Sequence, residues 1–192
     1  MEIPKSLTGA STTRVQTRKV SGESVAAVLN YYGFSRTVAG EELFAKAVDA
    51  VQKMFATGRG LLLSGSAGCG KTKLMWAVMK SLRNTQSEFF YCKEPKDMEF
   101  LRNNADDVIG GNVYLDDIGS EEKIKDYGNT IDIVGDFIQR YHYRGKGRLF
   151  ATTNLTPLEI QDRYDGRILD RLLEMCVLVK MDGESKRKRI II

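Results

Sequence analysis

The chain has 192 residues, 42% of them hydrophobic and 28% charged, with a formal net charge of +4 and a pI of about 8.9. That is an ordinary globular composition, with enough length for one domain with a real core and too little for two. No apolar run approaches the roughly 20 residues of a membrane helix, and Met1-Glu2-Ile3-Pro4-Lys5 lacks the apolar segment of a signal peptide.

Cys69, Cys92 and Cys176 are far apart and form no C-x-x-C pair. They read as reduced thiols in a cytoplasmic protein with no membrane partner, and not as disulfides or metal ligands. The small positive excess permits nucleic-acid binding without demonstrating it.

In chain order, residues 1 to about 22 are rich in Ser, Thr, Lys and Arg. They read as a flexible arm, either a DNA- or partner-contacting tail or a solvated terminus. A short helix is expected over 24–32, stopped by Gly33. Residues 1–39 therefore form an N-terminal arm and short helix, and 40–192 the core. Leu43, Phe44, Ala47, Val48, Val51 and Phe55 recur at helical spacing, which predicts an amphipathic helix over 41–55 closed by Gly58.

Strands are expected at 61–64, 88–92, 112–116, 148–152 and 175–180. Helices are expected from the loop after the first strand to Arg83, then at 95–103, 129–143, 157–164 and 166–174. A turn at Asp182-Gly183 and a returning strand at 186–192 follow. Alternating strands and helices predict an α/β fold, three layers αβα around a mainly parallel five-stranded sheet. Trp76, on the helix that runs from the loop after the first strand to Arg83, is expected in the core.

The stretch that carries chemistry is Gly65, Ser66, Ala67, Gly68, Cys69, Gly70, Lys71 and Thr72. It fits the phosphate-binding pattern G-x-x-x-x-G-K-[ST], between an apolar strand and a helix. The glycines let successive N–H groups turn inward, and the helix N-terminus adds its positive end. Lys71 would reach the β- and γ-phosphates of ATP, and the Thr72 hydroxyl would bind Mg²⁺. Cys69 reads as an oxidation-sensitive thiol or simply as a small residue suited to a tight loop.

Val113-Tyr114-Leu115-Asp116-Asp117 supplies two acids after an apolar run, the Walker B pattern. Asp116 would orient Mg²⁺ and Asp117 would act as general base on the attacking water. The fourth strand ends in Thr152-Thr153-Asn154. Asn154 is the candidate sensor of the γ-phosphate, with Thr153 as the fallback. Arg163, Arg167 and Arg171 follow in one box, and guanidinium groups suit a transferring phosphoryl group. His142 is the only histidine, so no histidine-based triad or metal site is expected.

These pieces in this order resemble the AAA+ ATPases, and within them the helicase loaders of the DnaC/DnaI type and the IstB-type transposition helper. The resemblance covers roughly residues 40 to 190. It rests on the loop at 65–72, Leu115-Asp116-Asp117-Ile118-Gly119, Gln139-Arg140-Tyr141, Ala151-Thr152-Thr153-Asn154-Leu155, the box from Gly166 to Leu172 and the tail Gly183-Glu184-Ser185-Lys186-Arg187.

The resemblance implies that Arg171 is an arginine finger acting on a neighbouring subunit's ATP, with Arg167 the second candidate. It implies that Arg187 contacts the γ-phosphate in cis, and that Arg140 lines a subunit interface. It further implies a homo-oligomer with ATP between subunits, single-stranded DNA along its axis, and a replicative helicase or a transposase as client. The chain departs from the loaders in having only about 40 residues before the core. It ends just after the fifth strand, without a C-terminal helical lid.

Lys123 and Lys125 are candidate DNA contacts. The run Lys186-Arg187-Lys188-Arg189 reads either as a phosphate-binding patch or as an exposed edge strand. Three readings stand beside the loader: an IstB-like transposition ATPase, a P-loop small-molecule kinase, and a non-catalytic module whose assembly on DNA ATP switches.

Overall fold

The structure is a computed structural model that describes residues 19–83, 89–93, 95–126 and 129–181. The elements are α1 (Gly22–Tyr31), α2 (Arg36–Ala39), α3 (Glu41–Thr57), β1 (Gly60–Ser64), α4 (Lys71–Arg83), β2 (Phe89–Cys92), α5 (Pro95–Val108) and β3 (Asn112–Ile118). Then come β4 (Ile124–Asp126), β5 (Asn129–Ile131), α6 (Ile133–Arg144), β6 (Leu149–Thr153), α7 (Pro157–Tyr164), α8 (Gly166–Met175) and β7 (Cys176–Lys180).

Five strands form one sheet in the order β2-β3-β6-β1-β7, and every pairing in it is parallel. Side chains alternate between its faces, as a strand's period of two requires. Leu61, Leu63, Tyr114 and Phe150 join the core built with α1, α2, α3 and α4. Leu62, Val113, Leu115, Leu149 and Ala151 join the core built with α5, α6, α7 and α8. The result is the expected αβα sandwich, with β1 buried along its whole length.

Both core clusters are continuous. Val25, Leu29 and Phe34, which precede residue 40, share the first cluster with Leu61 and Met75.

Local chemistry sets the ends. Ser21 caps α1, its side chain accepting from the Ser24 N–H, so the helix begins at Gly22 and not at residue 24. Gly58 closes α3 in the left-handed conformation (φ 72°). Thr156 and Glu159 form a reciprocal capping box on α7, with Pro157 at its start. Helix α5 runs to Val108, five residues past the expected end. Asn104 is non-helical within it (φ −125°, ψ 24°), and its amide donates to the Phe100 carbonyl at 3.0 Å.

Two expectations fail. Residues 129–131 are not the first turn of a helix. They pair antiparallel with 124–126 as a small second sheet. The helix starts only at Ile133 because Asp132 caps it, its carboxylate accepting from the Gly135 N–H at 3.1 Å. Trp76 is not in the core either, being 40% exposed. The buried stripe of α4 is Leu74, Met75, Val78, Met79 and Leu82, and Trp76 falls on the opposite side with Lys73 and Lys80. The expected arm over 1–18, turn at Asp182-Gly183 and strand over 186–192 lie outside the described residues.

Among the described residues no helix is long and apolar enough to cross a membrane. All three cysteines are free and buried.

Candidate nucleotide site

The loop after β1 leaves the sheet between its central strands. Gly65 donates its N–H to the Thr153 carbonyl at 3.2 Å. A Cβ at Gly65 would stand 2.2 Å from the Met181 carbonyl oxygen, so glycine alone lets the loop cross the end of β7. Gly70, at φ 103°, turns the chain into the first turn of α4.

Lys71 is only 7% exposed. Its ammonium folds over the loop and donates to the carbonyls of Gly65 (2.7 Å) and Ser66 (2.9 Å) and to Asn154 Oδ1 (2.8 Å). Cys69 is buried beneath it, while Ser66 and Ala67 are exposed and Gly68 is half-buried.

The two acids sit in different surroundings. Asp116 is 6% exposed and accepts three hydroxyls: Tyr114 (2.5 Å), Thr152 (2.6 Å) and Tyr91 (3.3 Å). Burial, followed by the neighbouring Asp116 charge, pushes the Tyr91 phenol up to about 12. The same causes push Tyr114 up further, with burial again the largest.

Asp117 is half-buried and takes a positive φ of 57°, unusual for a residue with a side chain. Its N–H donates to Thr152 Oγ1 at 2.8 Å, and its Oδ1 accepts from Asn154 Nδ2 at 2.6 Å. Thr153, the alternative sensor, is fully buried and donates its hydroxyl to the Ile118 carbonyl at 2.7 Å. Asn154 is thus the residue of that pair that meets Lys71 and Asp117.

Mg²⁺ with a nucleotide asks for few protein ligands, all oxygen, and several waters. Thr72 is exposed, and its hydroxyl bonds to no described residue. The buried Asp116 carboxylate would be the second oxygen donor. This donor set fits a hydrated, phosphate-bound Mg²⁺. Among the described residues no group of three or more His, Cys, Asp or Glu is placed to hold a metal ion by itself.

The arginines stand apart from this cluster. Arg163 donates to Asp132 Oδ2 at 2.6 Å and to Glu121 Oε1 at 3.3 Å, and so fastens α7 to the turn after the acids. Glu121 also accepts from the Gly119 N–H at 2.8 Å and from the Tyr164 hydroxyl. Arg171 lies over the Tyr143 ring at 5.0 Å and donates to its hydroxyl at 3.0 Å. Arg167 is exposed on α8, and Asp165 caps that helix through the N–H groups of Arg167 and Ile168. Neither Arg167 nor Arg171 is hydrogen-bonded to the Lys71–Asn154–Asp117 set.

Arg140 is exposed beside a shallow groove of about 170 Å³ between α5 and α6. Lys123 is exposed. Arg187 and the run 186–189 lie outside the described residues, as does the Lys125 side chain.

The sequence reading missed Tyr91, Tyr114, Thr152 and Glu121. Tyr114 was in reach, two residues before Asp116 and therefore on the same strand face. The others depend on pairings between distant segments.

A glycine-rich phosphate cradle, its lysine and paired acids at the ends of central parallel strands are the parts of a P-loop NTPase. A family model described as Novel STAND NTPase 3 (nSTAND3) matches residues 44–192. The chain belongs to that family.

Its fold is that of the AAA+ P-loop NTPases. The chain is 24% identical over 157 residues to the replicative helicase loader DnaI of Bacillus subtilis (strain 168), a match covering 68% of this chain and 48% of that protein. The chain therefore spans about half the length of the relative it matches. A crystal structure of DnaI superposes with a TM-score of 0.58 at 18% identity, over 92% of this chain and 98% of that one. The replication initiator DnaA, bound to AMPPCP and single-stranded DNA, superposes with a TM-score of 0.52 at 14% identity, over 76% of this chain and 47% of that one.

Proposed function

We propose that this NTPase binds ATP with Mg²⁺ and hydrolyses it as the ATPase core of a helicase-loader-type replication protein. It assembles with copies of itself and binds single-stranded DNA, and its client is a replicative helicase. The observation that carries the catalytic part is the shared asparagine: Asn154 bonds Lys71 on one side and Asp117 on the other.

In this reading the loop N–H groups at 65–72 and the N-terminus of α4 hold the phosphates. Lys71 exchanges its loop carbonyls for phosphate oxygens. Thr72 and Asp116 would hold Mg²⁺, which when bound would supply charge neutralisation on the phosphates. Asp117 accepts the proton of the attacking water. Asn154 keeps Asp117 in place and reads the presence of the γ-phosphate. Arg171 of a second copy, or Arg167 one turn earlier on α8, offsets the charge that develops on the γ-phosphoryl group. Arg187 contacts that phosphate within the same chain.

Support for the loader class comes from the resemblance to DnaI across most of this chain. Support for the single-strand reading comes from the fold shared with a DnaA bound to such a strand.

The test is binding of a fluorescent ATP analogue together with phosphate release, for the native chain and for Lys71→Ala. The expected result is micromolar-range binding and free phosphate from the native chain and neither from the variant. Equal nucleotide affinity in both would remove the assignment of the loop. A phosphorylated small molecule in place of free phosphate would replace hydrolysis by kinase chemistry.

A further inference from the structure

Trp76 is the only tryptophan of the chain, and it projects from the solvent side of α4. Helical spacing places Lys73 one turn before it and Lys80 one turn after it on the same side. Both are exposed, and neither is in an ion pair or hydrogen bond with a described residue. The indole lies 5.8 Å from the Tyr91 ring on β2, centroid to centroid. Lys93 follows Tyr91 by two residues, on the same side of the sheet, and is exposed. Among the described residues, strand β2 is the edge of the sheet. Neither α4 nor residues 89–93 contain an Asp or Glu. Asp97 turns its carboxylate to the Lys93 backbone N–H, not across this face.

We infer that this face binds single-stranded nucleic acid, with one base stacked on the Trp76 indole and backbone phosphates on Lys73, Lys80 and Lys93. The inference rests on the single-strand reading above and assigns it a place on α4 and β2. One flat ring amid cations is what an unpaired strand needs: a π-face for a base and positive charge along the backbone. A protein partner would favour a broader apolar patch with charges kept to its rim.

The face is also wired to the nucleotide site. The Tyr91 ring packs against Trp76 on one side and the Tyr114 ring on the other, at 5.2 Å, while its hydroxyl donates to Asp116. A base pressed on Trp76 therefore bears on a residue that holds the Walker acid, and α4 itself begins at Lys71.

Because Trp76 is unique, its fluorescence reports on this face alone. A fluorescently labelled oligo(dT) on the order of 15 nucleotides long, within the range of single-strand site sizes, is titrated with the full chain at fixed nucleotide. Its anisotropy and the Trp emission are read together. The expected result is quenching that tracks binding. Trp76→Ala should weaken binding on the order of tenfold, the size of one lost stack. Trp76→Phe keeps a ring and should retain most of the affinity. Lys80→Ala with Lys93→Ala should lower the salt slope by about 0.7 per lysine.

Binding by anisotropy with unchanged Trp emission, and with native affinity in Trp76→Ala, would overturn the assignment and leave the single-strand reading in place. No binding at any salt would remove both. Emission that changes with protein concentration in the absence of DNA would make this a face between copies of the chain and overturn the inference.

Discussion

Asn154 holds Asp117 by a 2.6 Å hydrogen bond from its Nδ2 to the Asp117 Oδ1. Its Oδ1 faces the other way and accepts from the Lys71 ammonium. One exposed side chain at the end of β6 thus spans Lys71, the lysine of the loop, and Asp117, the proposed general base.

Removing that bridge should separate binding from chemistry. Asn154→Ala leaves the loop carbonyls on Lys71 and should bind nucleotide within a few-fold of the native chain. Turnover should fall on the order of 100-fold, the size of a misplaced general base. Asn154→Asp sets a second carboxylate against Asp117 and should be no better. Single-turnover phosphate release alongside nucleotide titration separates the two effects, and native turnover in Asn154→Ala would remove the role given to this residue.

The arginine assignment is tested by mixing. Arg171 packs on Tyr143 at a part-exposed position, so Arg171→Ala should change stability by under about 1 kcal/mol. It should bind ATP and fail to hydrolyse it. Mixed with Lys71→Ala, which keeps the arginine and lacks a working loop, it should regain part of the activity. Recovery with Arg167→Ala in its place, while Arg171→Ala turns over normally, would move the role one helical turn back.

Glu121 joins the turn after the acids to the last turn of α7 through Gly119, Arg163 and Tyr164. The Glu121 and Arg163 side chains are mostly buried, so Glu121→Ala strands a part-buried guanidinium beside a lost carboxylate. The expected cost is about 2 kcal/mol, since one partner of a largely buried pair is removed while Asp132 remains. For a chain of this size that lowers the melting temperature by roughly 4–8 °C. Calorimetry checks it, and an unchanged midpoint would show that the link carries no stability.

Alkaline pH should loosen the structure around the tyrosines beside Asp116 and Glu121. Tyr91, raised to about 12 by burial and then by Asp116, keeps its proton more tightly folded than unfolded. Tyr114 and Tyr164 are raised in the same direction, by burial first and then by Asp116 and Glu121 respectively. A raised pKa contributes stability that is complete below the unfolded value near 10 and is lost as pH rises through the folded value. Melting temperatures should therefore fall between about pH 10 and 12, and fall less steeply in Tyr91→Phe. A flat profile over that window would contradict the buried phenol–carboxylate network.

What was legible in the sequence was local. The phosphate loop, the amphipathic α3 with Gly58 at its end and the capped α7 each declare themselves within a dozen neighbouring residues, and the structure has them where those signals lie. The small sheet of β4 and β5 escaped because three-residue strands carry no period, and Ile131 extended an apolar helical pattern backwards past the Asp132 cap. The surroundings of Asp116 escaped for another reason. Thr152 reaches it only through the pairing of Leu115 with Ala151, and Tyr91 only from the next strand over. The side of Trp76 is legible in the pattern: the stripe from Leu74 to Leu82 leaves it on the lysine side of α4, although a tryptophan's large apolar ring favours burial.

The most direct test of the account is ATP hydrolysis per subunit as protein concentration rises, with and without single-stranded DNA. A site completed by a neighbour's arginine predicts a rate per subunit that climbs with concentration and climbs further with DNA. A rate that stays flat in a chain shown by sizing to be monomeric would contradict it. The phosphate loop would then work alone, and Arg171 would have no partner to act on.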